Sequence, residues 1–205
     1  MKSFRYGTGY IQSKLDGTEQ KFETTLFEIP KEFSHVSTMA PVEDQGSSSM
    51  CVCYTLTSIL DWMVNRLKPN NNGSSNKFDK DKLYDSRSNK SQDGMQIKEA
   101  LHFLKHTGLD GHKIQHYAMI GSIELAKRAI IMYGPIAIGL KCYDIYNDEF
   151  WRGSSLVGGH AATLVGYNEE GFILRNSWGK NWHDHGHILF PYIDFPLVTE
   201  AWVLI

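Results

Sequence analysis

The sequence predicts an α+β protein of two unlike lobes, with helices in its first half and antiparallel strands in its second. Two observations carry that expectation. Between residues 49 and 133 apolar side chains recur at helical spacing in three segments, and from Ile136 onward the period falls to two. The length of 205 residues, with 41% hydrophobic and 21% charged, suffices for one large domain or two packed halves.

Residues 1–28 mix polar, aromatic and glycine residues without a period and read as an extended arm wrapped on the body. Ala40-Pro41-Val42 leads into Gln45-Gly46 and three serines, a helix-start signal. Apolar residues at 52, 56, 59, 60, 63 and 67 then form one stripe, so a helix is expected from Ser49 to Leu67, stopped by Pro69. Asn70 to Lys77 reads as a surface loop. A second helix, Met95–His106, turns Ile97, Ala100, Leu101 and Leu104 inward and is closed by Gly108. A third, Ser122–Tyr133, ends at Gly134-Pro135. Expected strands are Ile136–Leu140, His160–Tyr167, Gly171–Ser177, Gly186–Phe190 and Ala201–Ile205, with Asn168–Gly171 as a hairpin turn.

The bulk properties exclude several classes. A net charge of −2 provides no electrostatic footprint for nucleic acid. No apolar run reaches the roughly 18 residues of a membrane span, and Met1–Gly7 lacks the apolar stretch of a secretory signal. A cytoplasmic location is therefore expected, unless a leader is missing from this sequence. Three cysteines (Cys51, Cys53 and Cys142) are too few and odd in number for a disulfide framework.

A cysteine hydrolase requires a thiolate, a histidine in reach and a third group that orients the ring. Cys51 stands where the apolar helix begins, in the field of the unpaired first-turn N–H groups. His160 opens one strand of the Asn168–Gly171 hairpin and Asn176 ends the other, so the two can meet; two unrelated polar strand ends are the alternative. Cys53 lies about 200° round the helix from Cys51, so both cannot face His160. It and Cys142 are read as structural.

These segments resemble the papain family of cysteine peptidases. Pro41-Val42-Glu43-Asp44-Gln45-Gly46-Ser47-Ser48-Ser49-Met50-Cys51 resembles its nucleophile segment, Gly159-His160-Ala161-Ala162 its histidine segment, and Asn176-Ser177-Trp178-Gly179-Lys180-Asn181-Trp182 its asparagine segment. Asp93-Gly94-Met95 resembles the glycine edge of its cleft, Gly134-Pro135-Ile136-Ala137-Ile138 the entry to its barrel lobe, and Phe190-Pro191-Tyr192 and the terminal Ala201–Ile205 its bacterial-type members. The resemblance covers residues 29–205 and implies a papain-like fold: an arm (1–28), a helical lobe (29–112) and an antiparallel, β-barrel-like lobe (113–205), with the active-site cleft between the lobes.

It further implies that Cys51 attacks a carbonyl carbon and His160 moves the proton, with Asn176 orienting the ring. Gln45 and the Cys51 N–H would hold the oxyanion. Trp178 would shield the Asn176–His160 bond, and Gly94 would offer backbone to an extended peptide. Met95 would line the pocket for the residue two positions before the scissile bond, which favours apolar groups there.

There are departures. Val52 replaces the usual tryptophan after the nucleophile, and Ser48 and Ser91 replace the usual disulfide cysteines, as in an intracellular or bacterial member. The loop at Gln45 is thereby expected to be less restrained.

The function implied is cleavage of peptide or related amide bonds through a thioester, on peptide or protein substrates, by a monomer without cofactor, metal, nucleic acid or membrane. The competing readings are an inactive scaffold that binds a peptide or protein partner, and a transamidase or deamidase using the same nucleophile. His183, His185 and His187 would share one face if extended, but no metal is assigned to them. The arm could block the cleft or complete the β lobe; lacking a helical pattern, it is read as structural.

Overall fold

A computed structural model describes residues 6–25, 27–66, 77–143 and 148–205. Of the expectations above, the helix end at Leu67, the stop at Pro69, the loop over residues 70–76 and the start of the arm lie outside these.

The helical lobe is built on α1 (Cys51–Asn65), which buries residues on nearly every side, from Val52, Leu56 and Ile59 to Thr55, Thr57 and Asp61. That all-round burial makes it the central helix of its half. Around it pack α2 (Lys80–Asp85) and α3 (Ile97–His106). The α3 face is the expected one, Ile97, Ala100, Leu101 and Leu104. Gly108, at φ +82°, ends it with its N–H on the Phe103 carbonyl. Met95 and Gln96, expected as the first turn of α3, are instead extended.

The second lobe is one antiparallel sheet. Its strands are β4 (Tyr117–Met119), β5 (Ile136–Tyr143), β6 (Leu156–Tyr167), β7 (Gly171–Arg175), β8 (His187–Pro191) and β9 (Val198–Leu204), in the order β4-β9-β5-β6-β7-β8. Among the described residues no pairing joins β4 to β8, so the barrel-like lobe is an open sheet. α4 (Ile123–Tyr133) packs on β5, β6 and β9, with Ser122 capping its start through the Leu125 N–H. β6 is longer than expected and begins at Leu156, because Gly158 and Gly159 pair with Cys142 and Lys141 rather than breaking the strand. The β6–β7 hairpin turns at Asn168, whose side chain accepts from the Glu170 and Gly171 N–H groups.

The segment before α1 runs along this sheet. β2 (Phe33–Ser34) pairs with β6, and Arg175 donates to the carbonyls of Ala40 and Pro41. The arm divides its contacts between both lobes. β1 (Tyr10–Ile11) pairs in parallel with β3 (Met95–Gln96) of the helical lobe, while Lys21 bridges to Met119 at the β4 edge and Phe22 enters the sheet core. Thus its far end packs on the edge and core of the β lobe, and its near end pairs with the helical lobe.

Candidate active site

Cys51 is the first residue of α1, where sequence places it, and His160 lies within β6. Asn176 follows β7 directly, held by its own N–H on the Gly186 carbonyl at 2.9 Å. The hairpin brings His160 Nε2 to 2.8 Å from Asn176 Oδ1. The same oxygen accepts the Ser177 backbone N–H at 2.8 Å. A backbone N–H can only donate, so the carboxamide orientation is fixed and Oδ1 must accept from the ring. The neutral imidazole therefore carries its proton on Nε2 and leaves the Nδ1 lone pair open; Nδ1 has no hydrogen-bond partner among the described residues. Cys51 Sγ accepts at 3.4 Å from the N–H of Ala161, the residue after the histidine. The imidazole and carboxamide thus meet directly, and the sulfur lies on the backbone next to the histidine.

Aromatic rings box the imidazole. Trp178 lies 4.6 Å from its centre and Phe150 5.0 Å, edge-on. Trp178 lies against the face of the histidine ring, tilted by 38°. Phe150 was missed in the sequence, having no motif around it.

Gln45 is tied from all sides. Its Oε1 accepts the Ser177 hydroxyl at 2.6 Å, its backbone N–H donates to the Ser177 carbonyl at 2.8 Å, and Nε2 donates to the Ser48 carbonyl at 2.7 Å. These bonds, with Gly179 N–H on the Glu43 carbonyl, restrain the loop that was expected to be loose for want of a disulfide. Ser177 is the residue that makes the difference. Replacing Gln45 by alanine is expected to lower kcat on a peptide substrate about 100-fold, the usual loss for one oxyanion donor, as measured by steady-state hydrolysis.

Two of the sequence expectations need correction. Gly94 does not offer its own N–H to an extended chain, because the Tyr84 hydroxyl accepts it at 2.9 Å. The strand addition is made one residue later, by Met95 N–H to the Gly9 carbonyl at 2.8 Å, and Gly94 contributes closeness: a Cβ there would overlap the Gly9 carbonyl. Residues 183–187 form a turn rather than an extended run, with His183 and His185 at positive φ, and His183 Nδ1 and His187 Nδ1 lie within hydrogen-bond distance of the carbonyls of His187 and His185. Among the described residues no group of three or more His, Cys, Asp or Glu side chains is placed to hold a metal ion.

The larger departure concerns what covers the site. Cys51 and His160 are each 0% exposed. Tyr6 stacks on Trp178 at 4.7 Å, Gly7 N–H donates to the Gly46 carbonyl at 2.8 Å, and Gly9 N–H donates to the Gly159 carbonyl at 3.0 Å. Gln45 Nε2 also donates to the Gly7 carbonyl at 3.1 Å, so the arm occupies the donor that the resemblance assigns to an oxyanion. Glycine is required at both positions for space alone, since a Cβ on Gly7 or Gly9 would overlap the carbonyls of Ser48 or Ser49. The alternation Tyr6-Gly7-Thr8-Gly9-Tyr10 was the one available sequence signal for a strand in a narrow slot.

Enclosure sets the protonation states. Burial pushes the Cys51 thiol up to about 11, against the lowering effect of the Ala161, Val52 and Gly9 N–H groups. Burial drives His160 down to about 4, and the bond to Asn176 offsets only part of this. The helix start favours a thiolate, as read from the sequence, but desolvation outweighs it: in the covered site the pair is neutral.

Comparison with known proteins agrees with this architecture. The family model described as papain family cysteine protease matches residues 107–192, the part of the chain that holds His160 and Asn176. Cysteine proteinase 3 of Entamoeba histolytica is 27% identical over 88% of this chain and 70% of its own length. An uncharacterised peptidase C1-like protein of Acanthamoeba polyphaga mimivirus is 31% identical over 40% of this chain and 31% of its own. The crystal structure of xylellain, a cysteine protease from Xylella fastidiosa, superposes with a TM-score of 0.80 over 98% of this chain and 97% of that one, at 18% identity, a likeness of fold. The chain thus shares the papain-like fold along nearly its whole length and matches the papain family pattern over residues 107–192.

Proposed function

We propose that Cys51, His160 and Asn176 hydrolyse peptide bonds of peptide or protein substrates, and that residues 6–11 hold the enzyme latent until they leave the cleft. One observation carries the first part: the carboxamide pinned by Ser177 leaves imidazole Nδ1 as the proton acceptor, on the residue adjoining Ala161, whose N–H holds the Cys51 sulfur. Once the arm is displaced, both groups are re-solvated and His160 Nδ1 takes the thiol proton. The thiolate attacks the carbonyl carbon, and Gln45 Nε2 and the Cys51 N–H take the charge that develops on oxygen. The imidazolium returns its proton to the leaving amine, the C–N bond breaks and a thioester remains. Water, deprotonated at Nδ1, then attacks the thioester; the acid leaves and the thiol is restored.

The latent part rests on the oxyanion donor and the sulfur both facing arm backbone. Incubation with the p-nitrophenyl ester of a short peptide, followed by acid quench and mass spectrometry, is expected to place the acyl group on Cys51 and leave Cys53 and Cys142 unmodified. An acyl group on Cys53, or none on any cysteine under conditions that open the arm, would overturn the assignment.

A further inference from the structure

Among the described residues the His160 imidazole has one hydrogen bond, the one from Nε2 to Asn176. A single bond leaves the tilt of the ring open, and the tilt decides where Nδ1 points. Packing has to fix it. Trp178 lies against one face of the ring, and Phe150 meets it edge-on, with centroids 5.0 Å apart and planes at 84°. Phe150 is fully buried and its centroid is also 5.0 Å from that of Trp178, so it is wedged against both rings.

Phe150 belongs to the connection between β5 and β6, beyond the last strand pair, Tyr143 with Leu156. Its carbonyl accepts the Tyr143 N–H at 2.8 Å. The next two residues tie the connection to a distant carboxylate. Trp151 is buried edge-on against Phe190 of β8, and its Nε1 donates to Asp194 Oδ2 at 3.0 Å. Arg152 donates to Asp194 Oδ1 through Nη2 at 2.7 Å and Nε at 3.2 Å. Asp194 is itself buried, in the 3₁₀ turn Tyr192–Leu197 that follows β8. Charge-assisted bonds of this kind are about twice as strong as neutral ones and fix direction as well as distance. Resting on the peptidase reading, we infer that Phe150 is a positioning residue for His160, holding the ring tilt that proton transfer at Nδ1 requires. Asp194 acts through it, by clamping the connection that delivers Phe150. Neither residue exchanges a proton in the reaction, so their share of the rate is geometric; a misplacement of about 1 Å at a reacting group costs about 100-fold.

The test uses the full chain, with two readouts. In steady-state hydrolysis of a peptide, Phe150→Ala is expected to lower kcat by about tenfold or more with KM within about threefold. Asp194→Asn keeps an acceptor for Trp151 but loses the charge that draws Arg152, and should lower kcat about threefold. Nitrogen-15 spectra of the histidine-labelled chain near neutrality read the ring directly. In wild type one His160 nitrogen is protonated and the other bare; in Phe150→Ala the two resonances should move toward each other as ring orientations mix. A merely structural role would leave that pattern unchanged. Should the alanine chain fail to fold, Phe150→Leu, which keeps most of the volume but not the flat ring, takes its place with a threefold loss expected. Unchanged kcat in a folded Phe150 variant overturns the inference, as does a lower kcat with the wild-type nitrogen pattern. An Asp194→Asn chain with wild-type kcat overturns the clamp. If wild type cleaves no peptide and no acyl group reaches Cys51, the peptidase reading fails and the inference falls with it; wild-type cleavage with kcat indifferent to either residue removes the inference alone.

Discussion

Replacing Cys51 by alanine is expected to lower kcat/KM on peptide substrates by at least about 10⁴-fold, because nothing else in the cleft can form the thioester. The substitution is structurally mild. The sulfur accepts a 3.4 Å bond from the Ala161 N–H, and its loss leaves a small cavity, so stability should change by about 1 kcal/mol or less. Thermal unfolding of the variant within a few degrees of wild type, with hydrolysis at background, is the expected pair of results. Cys53 provides the control. It points to Met95, with Sγ 3.8 Å from the methionine sulfur, and burial pushes its thiol up. Cys53→Ala should keep activity within severalfold. Retained hydrolysis in Cys51→Ala would remove the nucleophile and, with it, the peptidase assignment.

Much of this molecule is legible in its sequence wherever local pattern decides structure. The stripe from Val52 to Met63 became α1, the inward residues of α3 are those expected, and the Asn168–Gly171 turn sets the hairpin that joins His160 to Asn176. Short elements escaped. α2 has six residues and only Leu83 buried, too little for a period to register. β1 and β3 are two residues each and exist because the arm crosses to the helical lobe, a non-local pairing. The same holds for Asp194, on which no sequence pattern falls and which became notable only when Trp151 and Arg152, far away in the chain, reached it. The state of Cys51 was misread for a related reason. A helix start is visible in sequence, but the burial that overrides it is a tertiary effect, to which residues far along the chain contribute.

Replacing Gly9 by valine is expected to raise activity, which is unusual for a substitution in a buried, well-packed segment. A Cβ at this position overlaps the Ser49 carbonyl, which belongs to backbone leading into α1 and cannot rotate away. Overpacking of this kind costs about 1–3 kcal/mol or more, and it falls only on the covered state, so the opening equilibrium shifts by about 10- to 100-fold. Initial rates of peptide hydrolysis should rise by that factor. Deleting residues 1–28 cannot make the same point, because Phe22 lies in the sheet core and Lys21 bridges to Met119; deletion would remove structure together with the cover. The valine variant leaves those contacts in place, and its melting temperature should fall by less than about 6 °C. Alkylation of Cys51 reports the same change independently of substrate. With the thiol raised to about 11, thiolate forms only as pH climbs through that value, so the wild-type chain should label slowly near neutrality. Uncovering re-solvates the thiol and the imidazole, and the pH of half-maximal labelling should move down by at least about 2 units. A Gly9→Val chain that stays folded, labels like wild type and cleaves no faster would mean that the arm is no barrier to the cleft.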